Sequence, residues 1–142
     1  MRKKTPKSIP VAKLKQACAK LLQKLVRLKA ADENGMVECV TCGKIDHWKC
    51  MQGGHFIERG KSSSVLMEEN IHPQCPGCNM YRMKQASTVL TYRRYMVDIY
   101  GEDFVKELEI MANQPKKYYT AELLELKKEL NERVKQRESE IS

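Results

Sequence analysis

The chain has 142 residues and a net charge of +8, with 42% hydrophobic but only 6% aromatic residues. This length suits one domain, or a small module with helical additions. No run approaches the roughly 20 apolar residues of a membrane span, and no apolar signal-peptide core is visible near the basic N-terminus. We therefore expect a cytoplasmic protein with reduced thiols and no membrane partner.

The excess positive charge is concentrated at the start of the chain. Residues 1–30 contain ten Lys or Arg and no acid, whereas 31–100 contain eight of each sign and 101–142 contain eight basic and ten acidic residues. A basic arm favours nucleic acid as the partner, although a solvated helix face that only aids solubility is the alternative. We expect Lys3, Lys4 and Lys7 to contact DNA phosphates independently of sequence.

A helix is predicted directly after this arm. Pro10 is suited to open it, and its apolar residues recur at helical spacing to about Ala31. That apolar stripe consists of Leu14, Cys18, Leu21, Leu22, Leu25 and Leu28. Cys18 is expected to be a buried small hydrophobe, and the Asp-Glu-Asn-Gly sequence at 32–35 predicts a turn.

Shorter elements follow. Residues 37–40, 47–50 and 55–58 are predicted strands, and a helix is expected from about 79 to 86. Helices are also predicted over 90–100, ended by Gly101, over 104–111, and after an N-cap at Thr120. The predicted fold is α+β, with a basic arm and N-terminal helix over 1–34, a small zinc-stabilised strand–strand–helix finger over 35–87, and C-terminal helices over 88–142.

Two Cys-x-x-Cys pairs, Cys39 with Cys42 and Cys75 with Cys78, predict a zinc site. Two residues between cysteines allow both sulfurs to reach one ion, and two such pairs complete a tetrahedral shell. Four thiolates leave no open position for water. The zinc is therefore expected to be structural, and chemistry must occur elsewhere.

His47 and Cys50 also have the spacing of metal ligands. They could replace one cysteine pair or bind a second zinc ion. A packed strand cysteine is the favoured interpretation of Cys50.

Three polar residues near the zinc frame are candidates for catalysis. His55 follows Gly53 and Gly54, which allow close approach of a backbone or a phosphate, and a neutral imidazole can take a proton from water. Asn79 could be a helix N-cap, but its amide oxygen also suits Mg²⁺. Asn70 is expected to hydrogen-bond the backbone of the His55 loop, with a plain turn residue as the alternative.

His72 is interpreted as a structural histidine, with a role as a second ligand left open. Four basic residues flank the predicted site and could bind phosphates, although each could also be solvated surface: Arg59, Lys61, Arg82 and Lys84.

Several segments together resemble a known family: Cys39-Val-Thr-Cys42-Gly, Gly54-His-Phe-Ile-Glu-Arg-Gly60, Glu69-Asn-Ile-His-Pro-Gln-Cys75 and Cys78-Asn79. They are similar to the HNH, or His-Me finger, endonucleases, and more closely to the NinG/Rap recombination nucleases of lambdoid phages. The likeness continues through Tyr100-Gly101-Glu102 and Tyr118-Tyr-Thr-Ala-Glu-Leu123.

The resemblance implies a ββα-metal finger in a structure-selective nuclease that cleaves branched DNA, including Holliday junctions and D-loops, in the cytoplasm of a bacterial host. It implies that His55 is the general base, Asn70 the middle Asn and Asn79 a ligand of a catalytic Mg²⁺ or Mn²⁺. A homodimer and recombination proteins are further expected partners. The alternative is a non-catalytic zinc-dependent DNA-binding protein or recombination adaptor.

One departure from the broad HNH pattern concerns a metal ligand. Many members carry Asp directly before the first His, where this chain has Gly54. The candidate replacements are Asp46, Glu58, Glu68 and Glu69, with His72 as a nitrogen ligand.

Overall fold

A computed structural model describes residues 9–141, so Lys3, Lys4 and Lys7 lie outside the described residues. Over this range the fold is α+β, with helices around two small antiparallel sheets. In chain order the elements are α1 Val11–Ala30, β1 Met36–Glu38, β2 Ile45–His47, β3 Gln52–His55, β4 Ile71–Gln74, α2 Pro76–Met80, α3 Ala86–Tyr100, α4 Glu102–Met111 and α5 Thr120–Glu140. None of the described helices is long and apolar enough to cross a membrane.

The largest core lies between α1 and α5, which are distant in sequence. The predicted apolar stripe of α1 packs on the apolar face of α5, and the Cys18 thiol is fully buried 3.4 Å from the carbonyl oxygen of Leu123. Leu14, Leu22, Leu25, Leu28, Leu123, Leu130 and Val134 form most of this core. The apolar stripe of α5 is therefore covered within the chain, and the homodimer stays a prediction.

The strands correct two predicted positions. β1 pairs with β2, but the segment Trp48–Cys50 forms a 3₁₀ turn rather than a strand. β3 ends at His55, where the prediction had a strand begin, and it pairs antiparallel with β4. β4 was not predicted because Pro73 interrupts it; a two-stranded sheet tolerates proline, since each strand has a free edge.

β3 is positioned by its contact with α1. A Cβ atom added at Gly53 would lie 2.6 Å from Cα of Gln23, so the strand passes directly against the helix backbone. Gly54 is similarly crowded by the buried side chain of Gln74. These two contacts explain why a Gly-Gly pair occurs inside a strand.

In place of the helix predicted over 79–86, the structure has the short helix α2 followed by a 3₁₀ turn. α2 begins at Pro76, which suits the first helical turn, and the Cys75 sulfur accepts the backbone N–H of Cys78. The chain leaves α2 at Tyr81, where φ is −123°, and a 3₁₀ turn at Arg82–Lys84 leads into α3.

The C-terminal helices largely follow the predicted pattern. α3 begins before the predicted residue 90 and ends at Gly101, whose φ of +90° favours glycine. Thr120 is the first residue of α5, and Tyr119 takes the N-cap position instead. A second core joins α3 and α4 to the end of β3 through Phe56, Tyr92, Met96, Val105 and Leu108.

Candidate functional site

The four cysteines of the two Cys-x-x-Cys pairs meet in one cluster. The sulfurs of Cys39, Cys42, Cys75 and Cys78 all lie within 4.8 Å of one another, and those of Cys42 and Cys75 are 3.6 Å apart. Tetrahedral zinc with Zn–S bonds of about 2.3 Å places its sulfurs roughly 3.8 Å apart. The cluster therefore fits one structural zinc ion.

Each cysteine pair has the backbone that such a site needs. Gly43 adopts a φ of +79° and donates its N–H to the carbonyl oxygen of Cys39, which turns the first pair. Burial raises the pKa of the Cys39 thiol, but hydrogen bonds from Thr41 and from backbone amides outweigh burial and hold this pKa well below its usual value, whereas burial raises the pKa of the neighbouring Cys42 thiol. These bonds favour the thiolate form that zinc requires.

The exposed side chain of Arg82 contacts the second pair. Its guanidinium donates to the Cys78 sulfur at 3.3 Å and lies 4.0 Å from the Cys75 sulfur. This contact partly neutralises the negative thiolates. The predicted phosphate contact of Arg82 stays a prediction.

The alternative ligands His47 and Cys50 do not join the cysteine cluster. Cys50 is exposed, not packed in a strand as expected, because residues 48–50 form a turn. The Nδ1 atom of His47 accepts the backbone N–H of Lys49, which caps that turn.

His55 lies at the end of β3 with one ring nitrogen bonded and the other free. Its Nε2 is 3.0 Å from the carbonyl oxygen of Val65, whereas its buried Nδ1 has no hydrogen-bond partner. A carbonyl oxygen can only accept, so Nε2 carries the proton and Nδ1 carries a lone pair. Burial lowers the pKa of His55, and Arg59 lowers it further against the opposing effect of the Val65 hydrogen bond. The imidazole is therefore neutral at pH 7.

His55 and Asn79 line the same open pocket, whose volume is about 940 Å³. Asn79 donates its side-chain N–H to Oε1 of Gln52 at 2.7 Å. Because the amide nitrogen is engaged, the amide oxygen is the atom left for a metal ion. Asn79 follows Cys78 directly, so the cysteine cluster and α2 fix its position.

Asn70 is fully buried and bonds the loop that follows His55. Its Oδ1 accepts the backbone N–H of Ile57 at 2.8 Å, and its Nδ2 donates to the carbonyl oxygens of Ile57 and Ser64 at 3.0 and 3.2 Å. The side chain thus holds both ends of the segment 57–64. This is the expected geometry of a positioning residue, whereas a catalytic contribution stays a prediction.

His72 is part of a buried hydrogen-bond chain. Tyr92 donates its hydroxyl to the carbonyl oxygen of Gly54 at 2.6 Å, so its oxygen must accept from Nδ1 of His72 at 3.2 Å. Nε2 of His72 then accepts from the Tyr100 hydroxyl at 2.9 Å. Burial lowers the pKa of His72 to about 4, and Lys29 adds to this effect. Both ring nitrogens are engaged, which makes His72 structural and removes it as a metal-ligand candidate.

Of the four carboxylates considered as metal ligands, Glu58 lines the His55 pocket. Asp46 accepts the backbone N–H of His47, and Glu68 pairs with Arg133 and lines a different pocket together with Glu69. Glu58 is therefore the candidate that the geometry retains.

The other predicted phosphate contacts differ in position. Arg59 is exposed and lines the His55 pocket, Lys84 is exposed on the turn after α2, and Lys61 is half-buried beyond the pocket.

Comparison with known proteins supplies the family. A family model described as the Bacteriophage Lambda NinG protein matches residues 1–140. The chain belongs to the NinG family. No curated protein and no solved structure shows significant similarity to it. The match makes this a phage recombination-related protein, and the four close cysteines could bind zinc in it.

The sequence did not single out two residues that line the His55 pocket. Gln23 and Arg27 line it from α1, and the Arg27 guanidinium donates to the carbonyl oxygens of Trp48 and Met51 at 3.1 and 3.0 Å. Their spacing of four residues places them on one helix face. That spacing was the available signal, but it does not say which part of the chain the face meets.

Proposed function

We propose that this NinG-family protein is a metal-dependent, structure-selective DNA endonuclease that hydrolyses phosphodiester bonds in branched recombination intermediates. One observation carries the proposal: His55, whose buried Nδ1 has no hydrogen-bond partner, lines the same pocket as Asn79, Glu58 and Arg59. A neutral imidazole with a fixed tautomer is suited to act as a general base.

The proposed reaction begins with a water molecule beside His55. Nδ1 takes a proton from this water while the hydroxide oxygen attacks the scissile phosphorus, and the bond from phosphorus to the leaving 3′ oxygen breaks. The Nε2–H bond to Val65 holds the ring in the required orientation. Proton transfer of this kind contributes about 10²–10⁴-fold to the rate.

The pocket offers few ligands for a catalytic cation. Asn79 and Glu58 would hold Mg²⁺ or Mn²⁺ together with DNA phosphate oxygens and water, and the ion would stabilise the charge that develops on phosphorus oxygens and on the leaving oxygen. Arg59 adds a positive charge beside this position. The cysteine-bound zinc would be structural, because four thiolates complete its shell.

The preference for branched DNA rests on the family, whose members are recombination-related. Holliday junctions and D-loops are the branched intermediates of that process. Other recombination proteins and a second copy of the chain are the proposed partners, and the host cytoplasm is the proposed compartment.

The experiment compares cleavage of a four-way junction and a linear duplex by wild type and His55→Ala, with and without Mg²⁺ or Mn²⁺. His55→Ala should nick the junction about 10²–10⁴-fold more slowly while its junction affinity stays unchanged. His47→Ala is the matched control, because His47 lies outside the pocket. Circular dichroism and zinc content verify folding, and His55→Asn, which keeps an N–H donor near Val65, serves if His55→Ala unfolds. Wild-type nicking by both His55 variants would refute the assignment.

A non-catalytic zinc-dependent DNA-binding or adaptor protein is the second candidate. It is favoured by one observation: among the described residues, only the four cysteines form a group of three or more His, Cys, Asp or Glu that could hold a metal ion. Tight junction binding by wild type without cleavage in either metal would select this function.

A further inference from the structure

A second groove, of about 620 Å³, adjoins the His55 pocket and runs along α1. The two share Gln23 and Arg59 as lining residues. Arg59 and Val65 form the wall opposite the helix. The helix wall consists of Ala12, Lys15, Gln16, Ala19, Lys20 and Gln23.

These helix residues belong to one continuous face of α1. Their spacing of three, one, three, one and three residues follows successive turns of an α-helix, and Arg27 extends the face by one more turn into the His55 pocket. The small side chains of Ala12 and Ala19 alternate with longer polar ones and keep the groove open. Neither Asp nor Glu lines it.

The groove carries three cations whose charge is not neutralised locally. Among the described residues, Lys15, Lys20 and Arg59 form no ion pair. The ammonium group of Lys15 lies 5.1 Å from the ring centroid of Tyr118, a contact that holds its stem beside the groove. All three charges therefore remain available to an anionic ligand.

Two lysines elsewhere on α1 form ion pairs. Lys24 pairs with Glu138 of α5, and Lys29 pairs with Glu68 before β4. These pairs link α1 to the rest of the fold. Among the described lysines of α1, Lys15 and Lys20 in the groove and Lys13 outside it form no ion pair.

We infer that this groove binds the sugar–phosphate backbone of the duplex arm that flanks the scissile bond. From Ala12 to Arg27 the face is about 22 Å long at 1.5 Å per residue. One strand of B-DNA carries a phosphate every 3.4 Å along the axis, so the face spans about six base pairs. The inference rests on the proposed function, which places the scissile phosphate beside His55.

The experiment measures binding of four-way junctions with arms of 4, 6, 8 and 12 base pairs, without added Mg²⁺ or Mn²⁺ so that the DNA stays intact. Wild-type affinity should rise with arm length up to about six base pairs and then level off. In Lys15→Ala/Lys20→Ala, the slope of log affinity against log salt should become shallower by about 1.8, since each lost phosphate contact removes about 0.9. This change in slope corresponds to DNA binding that is about tenfold or more weaker at 0.1 M salt. The affinity of the variant should also depend less on arm length than that of wild type.

The control is Lys106→Ala/Lys128→Ala, which removes the same charge from exposed positions on α4 and α5. It should keep the wild-type slope. Alanine is the strongest helix former, so α1 should persist in the groove variant, and circular dichroism with zinc content verifies this.

Three results separate the possibilities. Equal salt slopes in the groove and control variants, or no DNA binding by wild type, would overturn the inference. A shallower slope in the groove variant alone supports it. If that result is accompanied by no cleavage in Mg²⁺ or Mn²⁺, the groove stands as a DNA-backbone site and the endonuclease proposal fails.

Discussion

Replacing Gly53 with alanine should force β3 away from α1. The new methyl carbon would lie 2.6 Å from both Cα and Cβ of Gln23 and 2.8 Å from its Cγ, whereas ordinary van der Waals contact begins near 3.4 Å. The two elements must therefore separate by about 0.8 Å. Because Cα of Gln23 belongs to a helix backbone, rotation of its side chain cannot relieve the clash.

The magnitude follows from what resists this movement. Overpacking a closely packed region typically costs about 1–3 kcal/mol. α1 is also held by the hydrophobic core that it shares with α5, so it cannot move without disturbing that packing. Gly53 does not have a positive φ, and loss of glycine freedom in the unfolded chain offsets about 0.4–1 kcal/mol. We expect a net loss of about 1.3 kcal/mol, equivalent to roughly 3–5 °C in Tm.

Urea denaturation of the zinc-loaded protein measures this loss. Gly60→Ala is the matched control, since a Cβ at Gly60 meets no atom within 4 Å and its φ is not positive. The Gly60→Ala midpoint should stay near wild type while that of Gly53→Ala falls at unchanged slope. Equal midpoints for the two variants would refute the close β3–α1 packing and, with it, the position derived for His55.

Two further predictions concern pH and metal. Folded His72 has a pKa of about 4 against 6.5 in the unfolded chain, so the unfolded state binds more protons between these two values. The contribution of neutral His72 to the free energy of unfolding is therefore complete above pH 6.5, and the free energy of unfolding falls by about 3 kcal/mol as the pH drops to 4. Urea melts should show this loss in wild type but not in His72→Gln, and parallel losses in both proteins would contradict it. Cys42→Ser should lower the bound zinc per chain and the Tm, whereas Cys50→Ser, at an exposed cysteine outside the cluster, should change neither. Elemental analysis and thermal melts measure both, and one tightly held zinc in Cys42→Ser would exclude the cluster as the zinc site.

The cysteine cluster was predictable because its signal is local in sequence. Two Cys-x-x-Cys pairs specify their ligands by spacing alone, and the structure brings all four sulfurs together. The α1 stripe was predictable for a similar reason, since a 3.6-residue period does not depend on which element covers it. The partner of that stripe, α5, lies about a hundred residues away and was not indicated.

The strands were less accessible to sequence reasoning. Gly53 and Gly54 have low strand propensity, and Pro73 normally argues against a strand, yet these residues pair across the β3–β4 sheet. Close packing against Gln23 and Gln74 selects glycine there. Tertiary contact therefore overrides local preference at the strands that carry His55.

The site also depends on a tertiary relation that sequence spacing cannot express. Cys78 belongs to the cysteine cluster and Asn79 is the next residue on α2, whereas His55 ends a strand paired with β4, which leads directly into Cys75. The geometry of the cysteine cluster is thus transmitted through one peptide bond to Asn79 and through β4 to His55. Although four thiolates leave zinc no open position for chemistry, loss of the ion would release both ends of this arrangement. In the proposed nuclease, zinc would then be required for cleavage because it fixes the distance between the His55 imidazole and the Asn79 amide oxygen, without itself touching the DNA.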